Sequence, residues 1–573
     1  MATNATMARA ARTVLRLLAL LGLGLAVLGA AVPAAADGAA WPKYLHDNGG
    51  SGFAPDGGLT AATAASLIAL PGWPVHLGAT ISTQPVVANG LIYVGAWDGY
   101  EYALTPAGAI QWKRFVGITT KGKACQYPIG IAGTAAIATV PIPSPSGGGQ
   151  AGGSPTRSVL YVGGGGNADA NGKTFSGGSA QLFALDAHSG EVLWHTALGS
   201  SPDHFIWSSP AVFNGSVYVG VSAFADCPLI QGQLVQLDAS TGQLQHAANM
   251  VPNGCTGASI WGSPTIDEAA GSVYVATGNP ESCSIFGPQV GTTIRPKRAA
   301  MTAGLALFGL LLAGFAWPRR SIRGIFWGGV GIAVLGLAGT SLLVVGPRIE
   351  QPEPYAQALV KLSAADLRVQ GHWQIPAAES VFDSDFGSTP TLFRGTVTPG
   401  GAVRDLVGVA NKNGIYYVFD RASLDQGPVA RLRIATGGNP PTSGNGSISP
   451  SAFDGARLYV GGGHVAVNGQ LVAGTVSAYN PDDLRAPIWR SGLSSGPVLG
   501  AVTAVPGLAV VGAGSSVMVL DSASGTTVFQ IIAAGGTAAR PSIFYGAASV
   551  ANGVLYIGDT SGNLYAFGAE GAR

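Results

Sequence analysis

Residues 208–220 read SSPAVFNGSVYVG, and the pattern returns along the whole chain. Its closing strand, an apolar residue followed by Tyr-Val-Gly, recurs as LIYVG (91–95), VLYVG (159–163), SVYVA (272–276), RLYVG (457–461) and VLYIG (554–558). Weaker copies are DLVGVA (405–410) and LAVVG (508–512); with SVYVG (216–220) they make eight. Behind the copies lie second alternating segments, such as QLFALDAHSG (181–190), QLVQLDASTG (233–242) and SVMVLDSASG (516–525), running into an Asp-to-Gly turn. Period-two alternation bounded by Gly, Asp and Ser predicts half-buried strands joined by tight turns. A further short strand precedes most tyrosine strands, as in SSPAVFNG, and a fourth follows some units, as in EVLWHTALG (191–199). Four short antiparallel strands repeated radially make a blade, so eight repeats predict an all-β, eight-bladed β-propeller.

The last copy, 546–567, supplies only three strands. WPVHLG (73–78) matches WHTALG (194–199) in pattern and is expected to close the ring as the missing fourth, which removes an exposed sheet edge. Composition agrees with this architecture. Charged residues are 10% of the chain, against about 25% in an ordinary soluble domain, and 87 glycines suit many tight turns better than long helices. A net charge of +1 excludes an electrostatic nucleic-acid partner. The histidines show no metal-ligand spacing.

Residues 1–36 have the pattern of a signal peptide: Arg9, Arg12 and Arg16 precede an apolar run, and Ala34-Ala35-Ala36 offers a cleavage site before Asp37. In an exported protein the four cysteines, Cys125, Cys227, Cys255 and Cys283, predict two disulfides with the pairing open. The propeller then occupies 37–283 and 355–573. Between them, in an insertion at 284–354, two uncharged apolar runs (299–317 and 324–346) flank the loop PRRSIR. Each exceeds the ~18 apolar residues that suffice to cross a bilayer. The expectation is a two-helix transmembrane hairpin inserted in blade four, anchoring the protein in the cell membrane. An even number of spans keeps both halves of the propeller on the extracytoplasmic side, with Arg319, Arg320 and Arg323 in the cytoplasm.

The pattern A-x-D-x-x-[ST]-G-x-x-x-W, seen at 184–194, resembles a pyrroloquinoline-quinone (PQQ) repeat. From 41 to 567, apart from the insertion, the chain is similar to the eight-bladed quinoprotein dehydrogenases, a family that includes alcohol and polyvinyl-alcohol dehydrogenases. Three motifs carry implied roles. WGSPTIDEAAGSVYVATGNPE (261–281) implies Trp261 as the floor on which the quinone plane stacks and Asn279 as an oxygen ligand of Ca²⁺. VFDSDFGSTP (381–390) implies a base that takes the substrate's hydroxyl proton and neighbours the calcium, Asp383 by first choice with Asp385 as the alternative. VANKNGIYYVFDR (409–421) implies Lys412 as the lysine that reaches the quinone carbonyls.

The chain departs from that family in lacking adjacent cysteines and a cytochrome domain, and Asp226 is the one acid in the loop 221–232. The resemblance implies an extracytoplasmic quinoprotein oxidoreductase. It would use PQQ and Ca²⁺ to oxidise an alcohol or sugar and pass electrons to a membrane quinone or a soluble acceptor. The alternative is a non-catalytic propeller scaffold for envelope proteins. Because the insertion leaves the chain just after Asn279, the hairpin would turn the mouth of the propeller toward the bilayer.

Overall fold

A computed structural model describes residues 41–119, 128–141, 156–165, 180–199, 203–226, 228–281, 283, 353–537 and 540–570. The repeats form eight antiparallel blades in chain order, each built on a four-strand meander. Blade 3 is representative, with strands Ala211–Phe213, Ser216–Ala223, Gln233–Asp238 and Leu244–Asn249. Its third strand leads into a turn in which Asp238 Oδ1 accepts from the backbone of Ser240 and Thr241 and from the Thr241 hydroxyl. The same Asx turn forms at Asp186 and Asp521. That is why Asp and Ser or Thr recur three residues apart in the repeat.

The tryptophan of the repeat serves the next blade. Trp194 donates its indole N–H to Ala239 O (3.2 Å) and lies against Gly242, which sits at φ +72. Any side chain at 242 would collide with the indole. Trp112 on blade 1 and Trp489 on blade 6 make the equivalent bonds to Ala187 O and Ser522 O. Between blades the tyrosines of the strands, among them Tyr161, Tyr218 and Tyr459, are fully buried, so each sheet interface is a continuous apolar layer. Nearer the axis a chain of hydroxyls ties blades 1 to 5. Gln84 N donates to Thr134 Oγ1, Thr134 N to Ser209 Oγ, Ser209 N to Ser263 Oγ and Ser263 N to Thr389 Oγ1, all within 2.7–3.0 Å.

The ring closes as expected. Val75–His76 pairs with the last strand, Asn563–Gly568, and Ile68–Ala69 lengthens the same edge. A second closure has no counterpart in the repeat. The segment 41–57 runs round the axis and bonds to every blade in turn. Trp41 meets Val87, Pro42 meets Ile137, and Asn48 meets both Val212 and Ile266. Gly49 then meets Leu392, Ser51 meets Phe453, Gly52 meets Ala504 and Gly57 meets Gly553. All the partners but the last lie on the innermost strands, so this strap spans one end of the axial shaft.

Blade 4 is assembled from Thr265–Asp267 and Ser272–Ala276 with Ala358–Ser363 and Val369–Gln374, in the register Val275↔Val360. The transmembrane hairpin expected between its second and third strands is corrected. No helix among the described residues is long and apolar enough to cross a membrane, and 299–317 and 324–346 themselves lie outside them. An uncharged run satisfies the length criterion for a span without fixing that it forms one. The cell-membrane localisation, the cytoplasmic loop and the mouth facing lipid rested on that hairpin and are corrected with it. The signal peptide (1–36) also lies outside the described residues. Of the two expected disulfides, Cys255–Cys283 is formed; Cys125 and Cys227 are not among the described residues.

Candidate functional site

On the propeller axis lies a cavity of about 350 Å³, within the ~300–1,000 Å³ usual for small-molecule sites. It is ringed by residues that lead into the innermost strands, such as Ser82, Ala132, Ser209, Ser263, Thr389 and Gly546. Their small side chains leave the shaft open. Tyr44 of the strap forms part of its wall, as do Asp226, Asp385, Lys412 and Trp261.

Blades 4 and 5 deliver these side chains. Trp261 precedes the first strand of blade 4, and its ring edge rests where a Cβ on Gly387 would be, so residue 387 has to be glycine. Asn279 follows the second strand, and its carbonyl accepts from Ala258 N (2.7 Å). The Cys255–Cys283 disulfide clasps the two segments that carry Trp261 and Asn279. Asp383 and Asp385 lie on the loop before blade 5, where Asp383 takes the left-handed conformation (φ +61). Ser384 fastens the loop by accepting from Val381 N (2.6 Å), and its carbonyl takes the Asn411 amide (2.7 Å). Lys412 occupies the turn after the strand Arg404–Ala410, with its N–H on Asp385 O (3.0 Å).

Lys412 is 8% exposed, and its ammonium is the hub of the site. It donates to Asp383 Oδ1 (3.0 Å), Asp383 Oδ2 (2.9 Å) and Asp385 Oδ2 (3.0 Å). It also lies over the Trp261 ring, 5.2 Å from the centroid. Three donors on three carboxylate oxygens exhaust the ammonium. Burial alone would lower the Lys412 pKa, but the charges of Asp385 and Asp383 outweigh it and hold the group above its ordinary value.

Asp385 is buried, and its Oδ1 has no hydrogen-bond partner among the described residues. Burial, opposed by Lys412 and reinforced by Asp383, pushes its carboxyl up to about 7. Asp226, although its side chain reaches solvent, is also raised, by desolvation first and by Asp383 second. Oxygens of Asp226, Asp383 and Asp385 all come within 4.8 Å of one another.

All five residues singled out in the sequence (Trp261, Asn279, Asp383, Asp385 and Lys412) therefore meet in one place. Asn279 turns its amide N–H to Asp383 Oδ1 (2.7 Å), while its oxygen accepts from Gln357 (2.9 Å) rather than facing the carboxylates. Asp385, the alternative choice, borders the cavity, whereas both oxygens of Asp383 are taken by Lys412. Sequence reasoning noted Asp226 as the one acid of its loop without giving it a role, and Tyr44 and Tyr545 carried no signal at all.

The family model described as outer membrane protein assembly factor BamB matches residues 147–287 and 425–573, just over half of the chain. A polyvinylalcohol dehydrogenase from Pseudomonas sp is 27% identical over 252 residues, 40% of this chain and 34% of that protein. One from Sphingopyxis sp. (strain 113P3) is 25% identical over 232 residues, 36% of this chain and 30% of that protein. The chain thus spans about a third of the length of the curated relatives it matches. Among solved structures, the quinohemoprotein alcohol dehydrogenase of Comamonas testosteroni aligns over 94% of this chain and 82% of its own, with 17% identity and a TM-score of 0.61. A quinohemoprotein alcohol dehydrogenase from Pseudomonas putida HK5 aligns over 93% and 81%, with 14% identity and a TM-score of 0.60. At these identities the likeness is one of fold.

Proposed function

The chain belongs to the PQQ-repeat propeller family, quinoprotein dehydrogenase-like in its repeats and fold, and on that premise we propose that it is a PQQ-dependent oxidoreductase acting on an alcohol or sugar. The observation that carries the reading is the Lys412–Asp383–Asp385 cluster beside Trp261 in the axial cavity. A scaffold needs no buried ion cluster opening into a cavity, and such a cluster is costly to desolvate.

The residues fit the group. Trp261 offers a rigid aromatic face for a planar ligand, and the unpartnered Oδ1 of Asp385 is an acceptor that calls for a proton or a cation. Carboxylates of Asp226, Asp383 and Asp385 suit a hard divalent ion such as Ca²⁺. When bound, PQQ supplies an ortho-quinone able to accept two electrons and the hydrogen of the alcohol carbon. Asp385 then serves as the base. Its Oδ1, without a hydrogen-bond partner among the described residues, is free to receive the hydroxyl proton. Asp383 keeps Lys412 in place, and Lys412 holds positive charge against the Trp261 face, where it would stabilise negative charge on a bound quinone. With a bound quinone, the electrons would have to pass to an external acceptor, a quinone or a soluble carrier. The curated relatives, polyvinylalcohol dehydrogenases, favour alcohols over sugars as the substrate class.

The test is dye reduction by the purified chain loaded with PQQ and Ca²⁺ over a panel of primary alcohols, secondary alcohols and sugars. Turnover that Asp385→Asn lowers at least a hundredfold supports the reading. No turnover with any substrate, in protein that binds PQQ, returns the chain to the scaffold alternative.

A further inference from the structure

The repeat places one residue of each blade's third strand opposite a glycine or alanine of the second, deep in the seam with the next blade. It is leucine in blades 2, 3, 4 and 8 (Leu182, Leu234, Leu359 and Leu564), valine in blades 6 and 7 (Val476 and Val517) and tyrosine in blade 5 (Tyr416). Each of them is 0% exposed. In blade 1 the same place, opposite Gly95, is held by Glu101, also 0% exposed. A glutamate is almost never fully buried unless it is paired.

Glu101 has no pair. Of the other buried carboxylates among the described residues, Asp385 is bonded to Lys412 and Asp559 accepts from Asn563 and Tyr565. Neither oxygen of Glu101 has a hydrogen-bond partner there. Its Oε2 lies over Gly95 and beside Ile131, so that any side chain at 95 would meet both. Ile131 belongs to the lead-in to blade 2, which puts the carboxyl in the seam between blades 1 and 2. Beside it the amides of Gly130 and Ile131 cross the seam to Trp97 O (2.9 Å) and Ala96 O (3.0 Å).

The charged and titratable groups around the seam are engaged elsewhere. On blade 1, Arg114 lies opposite Glu101 on the fourth strand but donates its Nε–H to Gly190 O (2.6 Å). Lys113 alternates to the other face, over the Tyr100 ring, and Asp98 takes the Tyr102 hydroxyl. Tyr93, two residues before Gly95, is raised by burial and further by the charges of Asp186 and Glu101. On blade 2 the lead-in 128–135 has no ionisable residue. The strand Thr156–Gly164 turns Leu160 and Val162 to the seam, and its Arg157 alternates away from it. Asp186 is held in its Asx turn, and His195 Nδ1 meets Gln181 Oε1 (3.0 Å). No cation is paired with Glu101 among the described residues, and burial holds its carboxyl well above the usual carboxylate range.

We propose that Glu101 makes the seam between blades 1 and 2 a proton-held joint, shut while the carboxyl keeps its proton and opened when the proton leaves. An ionised, unpaired carboxylate is costly to keep in an apolar seam, and opening returns it to water. The sign follows from an acid raised in the closed state. Below the ordinary glutamate value of ~4.3 both states are protonated and the joint has its full strength. Above it the open state has lost a proton that the closed state keeps, so opening grows by about tenfold per pH unit until the closed state ionises too. Ala132, next to Ile131, borders the axial cavity, so the joint ties one wall of that cavity to pH. The joint is independent of the quinone reading.

The experiment follows amide hydrogen exchange of the full-length chain from pH 5 to 8, with each rate divided by the chemical exchange rate at that pH. Wild type is compared with Glu101→Gln, which cannot ionise, and with Glu101→Leu, which restores the residue of the repeat and guards against a Gln variant that folds poorly. In wild type the opening of 91–104 and 128–136, the amides of Gly130 and Ile131 included, should rise by about tenfold per pH unit. The corresponding segments of blades 3 to 8 should stay level, and so should both variants throughout. The same slope in the variants, a level response of the wild-type seam, or a wild-type slope spread evenly over all the blades overturns the joint.

Discussion

Lys412 is the residue on which the candidate site depends, because it alone neutralises two carboxylates that are largely out of water. Removing one partner of a buried ion cluster leaves uncompensated charge, at a cost of about 3–5 kcal/mol. Lys412→Met should lower the unfolding free energy by that amount in denaturant titration, and adding Asp385→Asn should recover part of it. The pH response of Asp385 has a definite sign. Its carboxyl is held up to about 7 in the fold and returns to ~3.9 in the unfolded chain. Between those values the folded state keeps a proton that the unfolded state has lost. The associated stability is complete below about pH 4 and is lost as pH rises through 7. Glu101, buried with neither carboxylate oxygen bonded among the described residues, is raised by burial and follows the same trend. The contribution of Asp385 is therefore read from the difference between wild type and Asp385→Asn. The melting temperature of wild type should fall more steeply between pH 5 and 8 than that of the variant; parallel curves would place the Asp385 pKa near its ordinary value.

At the scale of elements, blades are joined by the tryptophan-on-glycine contact and the site by a covalent clasp. Trp194→Ala removes an indole and its bond to Ala239 O, and should cost about 3 kcal/mol. Gly242→Val forces the same indole out from the other side, so the two changes together should cost clearly less than their sum, since one contact is lost in both. The Cys255–Cys283 disulfide closes a 28-residue separation around Trp261 and Asn279. Replacing both cysteines by serine should cost about 2–4 kcal/mol and weaken PQQ binding, because the two segments it joins carry the site. Unchanged PQQ affinity in that variant would show that the disulfide stabilises the blade without positioning the site.

For the molecule as a whole, the sequence was most legible where the physics is local and repeated. The strand alternation and the Asp-to-Gly turn are written into each blade, so the eight blades and the closing strand at Val75–His76 could be read from pattern. The motifs around Trp261, Asp383 and Lys412 were legible because each sits in a distinctive stretch. The strap was not. Its bonds run mostly through backbone groups of a Gly-rich segment with no hydropathic period, and its partners are scattered along the chain from Val87 to Gly553. Asp226, Tyr44 and Tyr545 converge only through the closed ring, which no local window contains. The apolar runs at 299–317 and 324–346 misled in the opposite way, since hydropathy read alone outweighed everything else about them.

The central claim is that the axial cavity holds a quinone against Trp261, with the Lys412–Asp383–Asp385 cluster at its edge. A crystal structure of the full-length chain soaked with PQQ and Ca²⁺ tests it most directly. The account predicts density for a planar tricyclic ligand stacked on the Trp261 indole. An empty cavity at saturating PQQ, or density bound elsewhere on the propeller, would contradict it.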